Sequence, residues 1–144
     1  MKTARQLLGD KSIDGVISVS PGATVYQALQ LLADKNIGAV LVIDDDGIAG
    51  IFSERDYARK VVLMGKTSAG TPVADIMTRK IIYVTPETSL DQCMGVMTDK
   101  RIRHLPVIEE GGQVLGVLSI GDLVREKIAD QASTIEQLEH YIHG

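Results

Sequence analysis

Residues 112–122 read GQVLGVLSIGD, and the rest of the chain is interpreted from this stretch. The run Val114–Ser119 is short and apolar and follows a Gly-Gly turn, which is typical of a buried strand. Ser119 and Asp122 have the S-x-x-D spacing of a capping box, so a helix is expected to begin where the strand ends. Unpaired backbone N–H groups converge at such a junction, which makes it a candidate site for an anion or a ribose.

The same pattern occurs earlier in the chain at Gly50, Ser53 and Asp56, each 66 residues before its counterpart. Residues 18–25 also align with residues 83–90, at an offset of 65. Each repeat reads strand, helix, strand, strand, helix. The sequence therefore predicts an α/β fold of two βαββα repeats followed by a C-terminal helix.

Length and composition limit the class of protein. The chain has 144 residues, and two repeats of about sixty residues are expected to share one core in a single compact module. A net charge of -4 and five aromatic residues disfavour nucleic-acid binding. The single cysteine, Cys93, is expected in the core and excludes an internal disulfide. With no signal peptide or long apolar span evident, we expect a cytoplasmic protein that does not bind a membrane.

The predicted organisation has five segments. They are an N-terminal helix and linker (1–12), the first repeat (13–65), a linker (66–72), the second repeat (73–129) and a helical tail (130–144). Residues 73–77 are expected to form a helical turn that docks on the second repeat, and residues 81–84 its opening strand. Pro106 predicts an edge or a break in the strand that contains it.

The tail has an apolar pattern typical of an amphipathic helix. Ile128, Ile135 and Ile142 recur every seven residues, with Leu138 between them. Such a helix either folds back onto its own module or contacts a second copy of the chain, and the sequence leaves both open.

Metal binding and catalysis have little support in the sequence. The acidic triplet at residues 44–46 lacks the wider, alternating spacing of hard-cation loops and favours a hairpin turn. His140 and His143 are too few for a metal site without a further ligand. No G-x-S-x-G, H-E-x-x-H or Walker motif is present, so we expect no enzyme and no metal.

The doubled pattern resembles a tandem pair of cystathionine-β-synthase (CBS) domains, also called a Bateman module. The resemblance spans roughly residues 13–128 and is carried by GIFSERD at 50–56, DIMT at 75–78, RHLPV at 103–107 and GVLSIGD at 116–122. It implies two CBS repeats packed with pseudo-twofold symmetry, and clefts between them that bind adenine nucleotides. The chain is similar to small stand-alone bacterial proteins of this kind that bind AMP and NAD(H), with ATP or S-adenosylmethionine as further possibilities.

The resemblance also implies a non-catalytic regulatory role in signal transduction. Such a module reports energy or redox state to a regulated enzyme or transporter, and the nucleotide is a ligand, not a catalytic cofactor. It often forms a homodimer, for which the candidate contacts are Val61, Val62, Leu63, Val124 and Ile128. The alternative is a structural or dimerisation adaptor that works without a ligand.

The chemistry of the proposed sites follows from two demands of a nucleotide. One carboxylate can accept both adjacent hydroxyls of a ribose, which assigns this role to Asp56 and Asp122. Ser119, Arg103 and His104 are expected to supply hydrogen-bond donors to phosphate. The alternative is that S-x-x-D only caps its helix and that the nearby basic residues only solvate a helix end.

The complete set of candidate ligand-binding residues lies at strand and helix starts in both repeats. In and after the first repeat they are Ser18, Gly38, Ala39, Ser53, Arg55, Asp56, Thr78 and Ile82. In the second repeat they are Arg101, Arg103, His104, Leu105, Pro106, Ser119, Gly121 and Asp122. Because Arg55 stands where the second repeat has Gly121, and because the second repeat has more basic groups at its strand start, the two sites are expected to differ.

Overall fold

The computed structural model describes residues 2–11 and 15–143, which form two compact units. The first unit is the continuous segment 15–82, and the second unit combines residues 2–11 with residues 83–143. The first unit therefore contains most of the first repeat, the linker and residues 73–82 from the start of the second repeat, and the second unit contains the rest of the second repeat together with residues 2–11.

Helices and strands are interspersed along the chain. In order they are α1 (Ala4–Gly9), β1 (Ser18–Val19), α2 (Val25–Lys35), β2 (Ala39–Asp44), β3 (Gly47–Ser53), α3 (Glu54–Tyr57) with a π-helical turn (Ala58–Val62), a 3₁₀ turn (Val73–Asp75), α4 (Leu90–Lys100), β4 (His104–Ile108), β5 (Val114–Ser119) and α5 (Ile120–His143). In the first unit, β1 is parallel to β2, and β2 is antiparallel to β3. In the second unit, β4 and β5 form an antiparallel pair. The predicted α/β class with a C-terminal helix is confirmed.

The strand predicted at residues 81–84 does not form, and Pro106 explains why. In the first unit, the Leu41 N–H donates to the Ile17 carbonyl at 3.4 Å, next to the pairing of β1 with β2. The residues 65 positions later are Pro106 and Ile82, and proline has no N–H to donate. Only Val84 keeps a parallel bridge to β4. The predicted edge at Pro106 is confirmed, and the predicted opening strand is wrong.

Reciprocal side-chain caps begin the helices, as the sequence spacing predicts. At the start of each helix, the side chain of the N-cap residue accepts a hydrogen bond from the backbone N–H of the residue three positions later. The side chain of that later residue accepts a hydrogen bond from the backbone N–H of the N-cap residue. The pairs are Thr3–Gln6, Thr24–Gln27, Ser53–Asp56, Ser89–Gln92 and Ser119–Asp122.

Residues 73–77 dock on the first unit, so their predicted docking on the second repeat is wrong. Val73, Ile76 and Met77 are buried in the first unit's core. Next to them, the Ile51 N–H donates to the Thr78 carbonyl at 2.9 Å, and the Thr78 N–H donates to the Ile51 carbonyl at 2.8 Å. This close approach requires the absence of a side chain at the preceding position of β3, which is Gly50.

Helix α1 packs in a similar way on the second unit. Ala4 and Leu7 are buried, and the Leu90 N–H donates to the Lys2 carbonyl at 3.0 Å. A Cβ atom on Gly116, the repeat counterpart of Gly50, would lie 3.0 Å from Cδ2 of Leu8. The two repeated glycines thus provide room for the two segments that precede the repeats.

The two glycines differ in what an added methyl group would meet. A Cβ on Gly50 would lie 2.8 Å from the Thr78 carbonyl oxygen, which is fixed backbone, and 2.7 Å from Met77 Sδ. We expect Gly50→Ala to lower the free energy of unfolding by about 1–3 kcal/mol, the range for overpacking. Gly116→Ala meets only the flexible end of Leu8 and is expected to lose less than about 1 kcal/mol. Urea denaturation measures both values, and equal losses would contradict the explanation.

The core includes a strand that is covered on both faces and the single cysteine. Residues 39–42 of β2 are all buried, and Cys93, which was predicted in the core, is fully buried. Burial raises the pKa of the Cys93 thiol. Val61 is 1% exposed and belongs to the first unit's core, so it is excluded as a contact for a second copy. Val62 and Leu63 are exposed.

Helix α5 continues without a break through the predicted tail. It has 24 residues, and residues 131–142 are exposed throughout. The prediction of a long amphipathic helix is confirmed. The alternative in which this tail folds back onto its own module is wrong, because none of these residues is covered by the described part of the chain.

Candidate functional site

The junction between β5 and α5 is closed by Ser119 and Asp122. The Ser119 N–H donates to Asp122 Oδ2 at 2.8 Å, and the Asp122 N–H donates to Ser119 Oγ at 3.2 Å. In the first unit, the Ser53 N–H donates to Asp56 Oδ2 at 3.0 Å. Capping is therefore part of the role of both aspartates, and the question is what further hydrogen bonds each carboxylate can accept.

Two cations hold the Asp122 carboxylate in the second unit. Lys11 Nζ lies 2.7 Å from Oδ2, and Arg125 Nη2 lies 2.7 Å from Oδ1. The Asp122 side chain is 8% exposed and that of Lys11 is 18% exposed, whereas Arg125 is 73% exposed. Burial alone would raise the pKa of Asp122, but the hydrogen bonds from Lys11 and Ser119 outweigh it and hold the pKa below its ordinary value. Asp122 is therefore ionised at neutral pH.

His104 lies opposite Ser119 in the β4–β5 ladder. Burial, followed by the positive charge of Lys11, lowers the pKa of His104 to about 4, with Asp122 acting against the shift and Arg103 adding to it. The imidazole is therefore neutral at pH 7 and offers one N–H donor. The sequence-based count of His104 among the cationic groups of this site is corrected accordingly.

The remaining candidates of the second repeat divide into exposed and buried residues. Arg101 and Arg103 are exposed, whereas Leu105 and Pro106 are buried in the strand and contribute their side chains to the core. Gly121 is half-buried next to the cap.

Arg101 ends α4 in a left-handed conformation, with φ 55° and ψ 44°. Asn36, its counterpart 65 residues earlier, ends α2 in the same way with φ 54°. Asparagine adopts this conformation readily, whereas a long side chain is strained in it. Local strain of this kind is often found at functional sites, which supports Arg101 as a candidate site residue.

In the first unit, the Asp56 carboxylate is saturated by donors from the protein. Oδ2 accepts from the Ser53 N–H at 3.0 Å and from Ser53 Oγ at 3.2 Å. Oδ1 accepts from Thr78 Oγ1 at 3.0 Å and is paired with Lys60 Nζ, also at 3.0 Å. A carboxylate accepts about four hydrogen bonds, and Asp56 has four and is 7% exposed. The structure thus brings Thr78 to Asp56, as a partner of the carboxylate.

The other first-unit candidates do not all meet at one place. Ala39 lies opposite Ser53 in the ladder, and the Gly38 carbonyl accepts the Glu54 N–H at 3.1 Å, so both lie at the start of α3. Arg55, exposed at the second position of α3, lies at the same helix start. Ser18 is exposed on β1, and Ile82 is half-buried at the end of the unit.

Three cations of these sites are absent from the sequence-based set. Lys60 and Arg125 lie four and three residues after their aspartates, a spacing at which opposite charges on a helix meet, so helical charge spacing could have identified them. Lys11 lies 111 residues before Asp122 and has no local signal.

Residues 2–11 and 15–143 bring together no group of three or more His, Cys, Asp or Glu side chains that could hold a metal ion. In the acidic turn, the Asp46 N–H donates to Asp44 Oδ1 at 2.8 Å, which confirms the hairpin. None of the helices in the described chain is both long and apolar enough to cross a bilayer.

Comparison with known proteins identifies similar chains. The CBS domain family model matches residues 9–63 and 73–129. The chain is 42% identical over 140 residues to the CBS domain-containing protein CBSX3, mitochondrial, of Arabidopsis thaliana, covering 93% of this chain and 68% of the relative.

Solved structures give the same result. A protein with CBS domains from Burkholderia ambifaria is similar with a TM-score of 0.84 and 52% identity, over 90% of this chain and 96% of that one. A hexameric CBS-CP12 protein from bloom-forming cyanobacteria is similar with a TM-score of 0.74 and 27% identity, over 85% and 66% of the two chains.

Proposed function

Because the chain belongs to the CBS domain family, whose paired domains are regulatory modules that typically bind adenosine ligands, we propose that it is a non-catalytic sensor of AMP or NAD(H). ATP and S-adenosylmethionine belong to the same ligand class. The proposed ribose acceptor is Asp122 in the second unit.

The two aspartates differ in the cation that a ribose would displace, and this difference supports Asp122. Asp56 accepts four hydrogen bonds from the protein, and its cation is Lys60, whose side chain is 45% exposed. Asp122 also has four partners, which are the Ser119 N–H, the Ser119 hydroxyl, Lys11 and Arg125. A ribose diol needs two positions, so two of these partners have to turn away. The Ser119 hydroxyl can rotate, and Arg125, whose side chain is 73% exposed, belongs to an exposed ion pair that contributes little.

The phosphate of the nucleotide is assigned to the exposed arginines near the same junction. Arg101 and Arg103 supply positive charge, and the Ser119 hydroxyl supplies a neutral donor. His104, being neutral, is assigned a hydrogen bond and not an ion pair.

Titration calorimetry with AMP tests the ribose assignment. Asp122→Ala is expected to weaken AMP binding by about ten- to a hundredfold, the scale of a hydrogen bond to a charged group. Asp56→Ala, the matched change in the other repeat, is expected to change the affinity by about threefold or less. Arg103→Ala should weaken AMP much more than adenosine, which lacks phosphate.

Asp122→Ala also breaks the pair with Lys11, so a control is needed. Lys11→Met breaks the same pair but keeps the carboxylate, and it is expected to retain AMP binding. An Asp122→Ala protein that remains folded, with a lowered melting temperature, and binds AMP as tightly as the parent would show that Asp122 is only a helix cap.

The alternative function is a structural or dimerisation adaptor that works without a ligand. The exposed apolar residues Val62 and Leu63 support it, because such residues can contact another protein. A thermal-shift series with AMP, ATP, NAD, NADH and S-adenosylmethionine discriminates the two, because only a bound ligand raises the melting temperature with concentration.

Assembly, location and partner complete the proposal. CBS proteins oligomerise, and a similar protein is hexameric. We assign a homodimer to this chain, with Val62, Val124 and Ile128 as exposed contacts. Sedimentation that finds a monomer at high micromolar concentration, with and without nucleotide, would refute it. We retain a cytoplasmic location and a regulated enzyme or transporter as the proposed context.

A further inference from the structure

The exposed end of α5 lies outside both repeats. The family match ends at residue 129, and residues 131–142 are exposed. The first repeat has no counterpart of this segment, because the helix that follows β3 ends with the π-helical turn at Val62. Whatever this segment does is therefore additional to the role of the paired domains.

An apolar row that we call the tail stripe runs along α5. In heptad notation, Ile128, Ile135 and Ile142 occupy position a, and Val124 and Leu138 occupy position d. All five are exposed, from Val124 at 40% to Ile142 at 73%.

The stripe begins where α5 still packs on its own unit. Leu123 is fully buried, while its neighbour Val124 points to the open side of the helix. The stripe is thus continuous from the packed part of α5 into the tail.

The tail buries no apolar face within the described part of its own chain. Most helices are stabilised by burying such a face. A continuous apolar stripe on a helix with no covering marks an interaction surface.

We propose that the tail stripe pairs with α5 of a second copy as an antiparallel two-stranded coiled coil. With the twofold axis at Ser133, Ile128 of one copy faces Leu138 of the other, and Val124 faces Ile142. Ala132 lies beside the axis, where a small side chain lets the helices approach.

Charge complementarity favours the antiparallel direction. In this register, position e of one helix flanks position e of the other, which places Arg125 beside Glu139 of the second copy, twice by symmetry. Both side chains are exposed in the single chain, where Arg125 is already paired with Asp122 through Nη2. A parallel pair would place Arg125 beside Ile120 and would form no such ion pair. Gln131 lies in the contact in either direction, against Ile135 in the antiparallel pair and against Gln131 in the parallel pair.

This inference rests on the homodimer of the proposed function and specifies its interface, and the two proposals share only Arg125, which pairs with Asp122 in the single chain. AMP titrations of the same proteins report separately on the nucleotide site. Either proposal can therefore fail without the other.

Sedimentation of the full chain tests the stripe. Ile135→Asp combined with Leu138→Asp is expected to raise the dimer dissociation constant by about a hundredfold or more, because both residues lie at the centre of the contact. The matched control is Ser133→Asp combined with Gln137→Asp, which adds the same charge and the same helix-disfavouring residues on the opposite face. The control is expected to stay dimeric.

Cysteine cross-linking tests the direction. Proteins carrying Ile128→Cys or Leu138→Cys are prepared separately, one with a size tag, and oxidised alone and mixed. The antiparallel pair predicts a cross-link only in the mixture, because residue 128 faces residue 138 and lies about 15 Å from residue 128 of the other copy along the helix. Cys93 is fully buried and is left in place.

Three results would overturn the proposal. They are a monomeric parent protein, a dimer that persists in the Ile135→Asp/Leu138→Asp protein, and cross-links that form within each cysteine protein alone. The last result would indicate a parallel pair.

Discussion

Replacing Lys11 with methionine is expected to lower the free energy of unfolding by about 3 kcal/mol, because it removes one partner of a largely buried ion pair. Lys11 Nζ lies 2.7 Å from Asp122 Oδ2 and 2.8 Å from the Val117 carbonyl oxygen. Arg125 remains as a second cation, which keeps the loss at the lower end of the range for buried pairs. Urea denaturation at pH 7 measures the change.

Two further variants test whether the loss of stability in Lys11→Met comes from the broken ion pair with Asp122. Arg5→Met removes an exposed cation from the same helical segment and is expected to have little effect, because its pairs with Glu87 and Glu109 are at the surface. Adding Asp122→Asn to Lys11→Met removes the carboxylate charge that Arg125 alone then compensates, so the double variant should be more stable than the sum of the single losses predicts. Strict additivity would show that the pair is not coupled.

The effect of Lys11 should also depend on pH. The pKa of Asp122 in the folded protein lies below its ordinary value. The ion pair therefore contributes its full stability at pH values above the ordinary pKa, and this contribution is lost as the pH falls through the folded-state pKa. We therefore expect the parent and Lys11→Met to converge in strongly acidic solution.

Acidification from pH 6.5 to pH 4 is expected to lower the stability by about 3 kcal/mol through His104 alone. Its pKa in the folded protein is about 4, depressed chiefly by burial, while the unfolded value is near 6.5. A proton therefore binds the unfolded chain more tightly, so stability is highest above pH 6.5 and declines as pH falls to about 4. The groups that set this pKa besides burial are Lys11, Asp122 and Arg103.

A neutral replacement tests this assignment. His104→Gln cannot gain the charge, so its stability should vary much less between pH 6.5 and pH 4 than that of the parent. His140→Gln, at an exposed position of the tail, should follow the parent. Urea midpoints measured at several pH values provide the comparison, and parallel curves for parent and His104→Gln would show that another group is responsible.

Local patterns in the sequence were sufficient to predict the helix starts and most of the strands. The S-x-x-D spacing predicted both caps, Ser53–Asp56 and Ser119–Asp122, because the hydrogen bonds join residues three positions apart. The period of seven predicted α5, because an amphipathic stripe is a property of a single helix.

Features that depend on distant partners were missed. Residues 81–84 have the composition of a strand, but the missing donor is at Pro106, in another strand. Lys11 reaches Asp122 only because the chain folds back over 111 residues. The burial of Val61 follows from the packing of the first unit, which an apolar run such as residues 61–63 does not reveal.

The discontinuous second unit has a consequence for folding during synthesis. Residues 15–82 are contiguous, so the first unit can fold as soon as it leaves the ribosome. Helix α1 is translated earlier, but Gly116, against which Leu8 packs, follows more than a hundred residues later. Closing so long a loop carries an entropic cost and slows the formation of non-local contacts. We expect the earliest helix to be among the last elements to become ordered, with its apolar face open to chaperones in the interval.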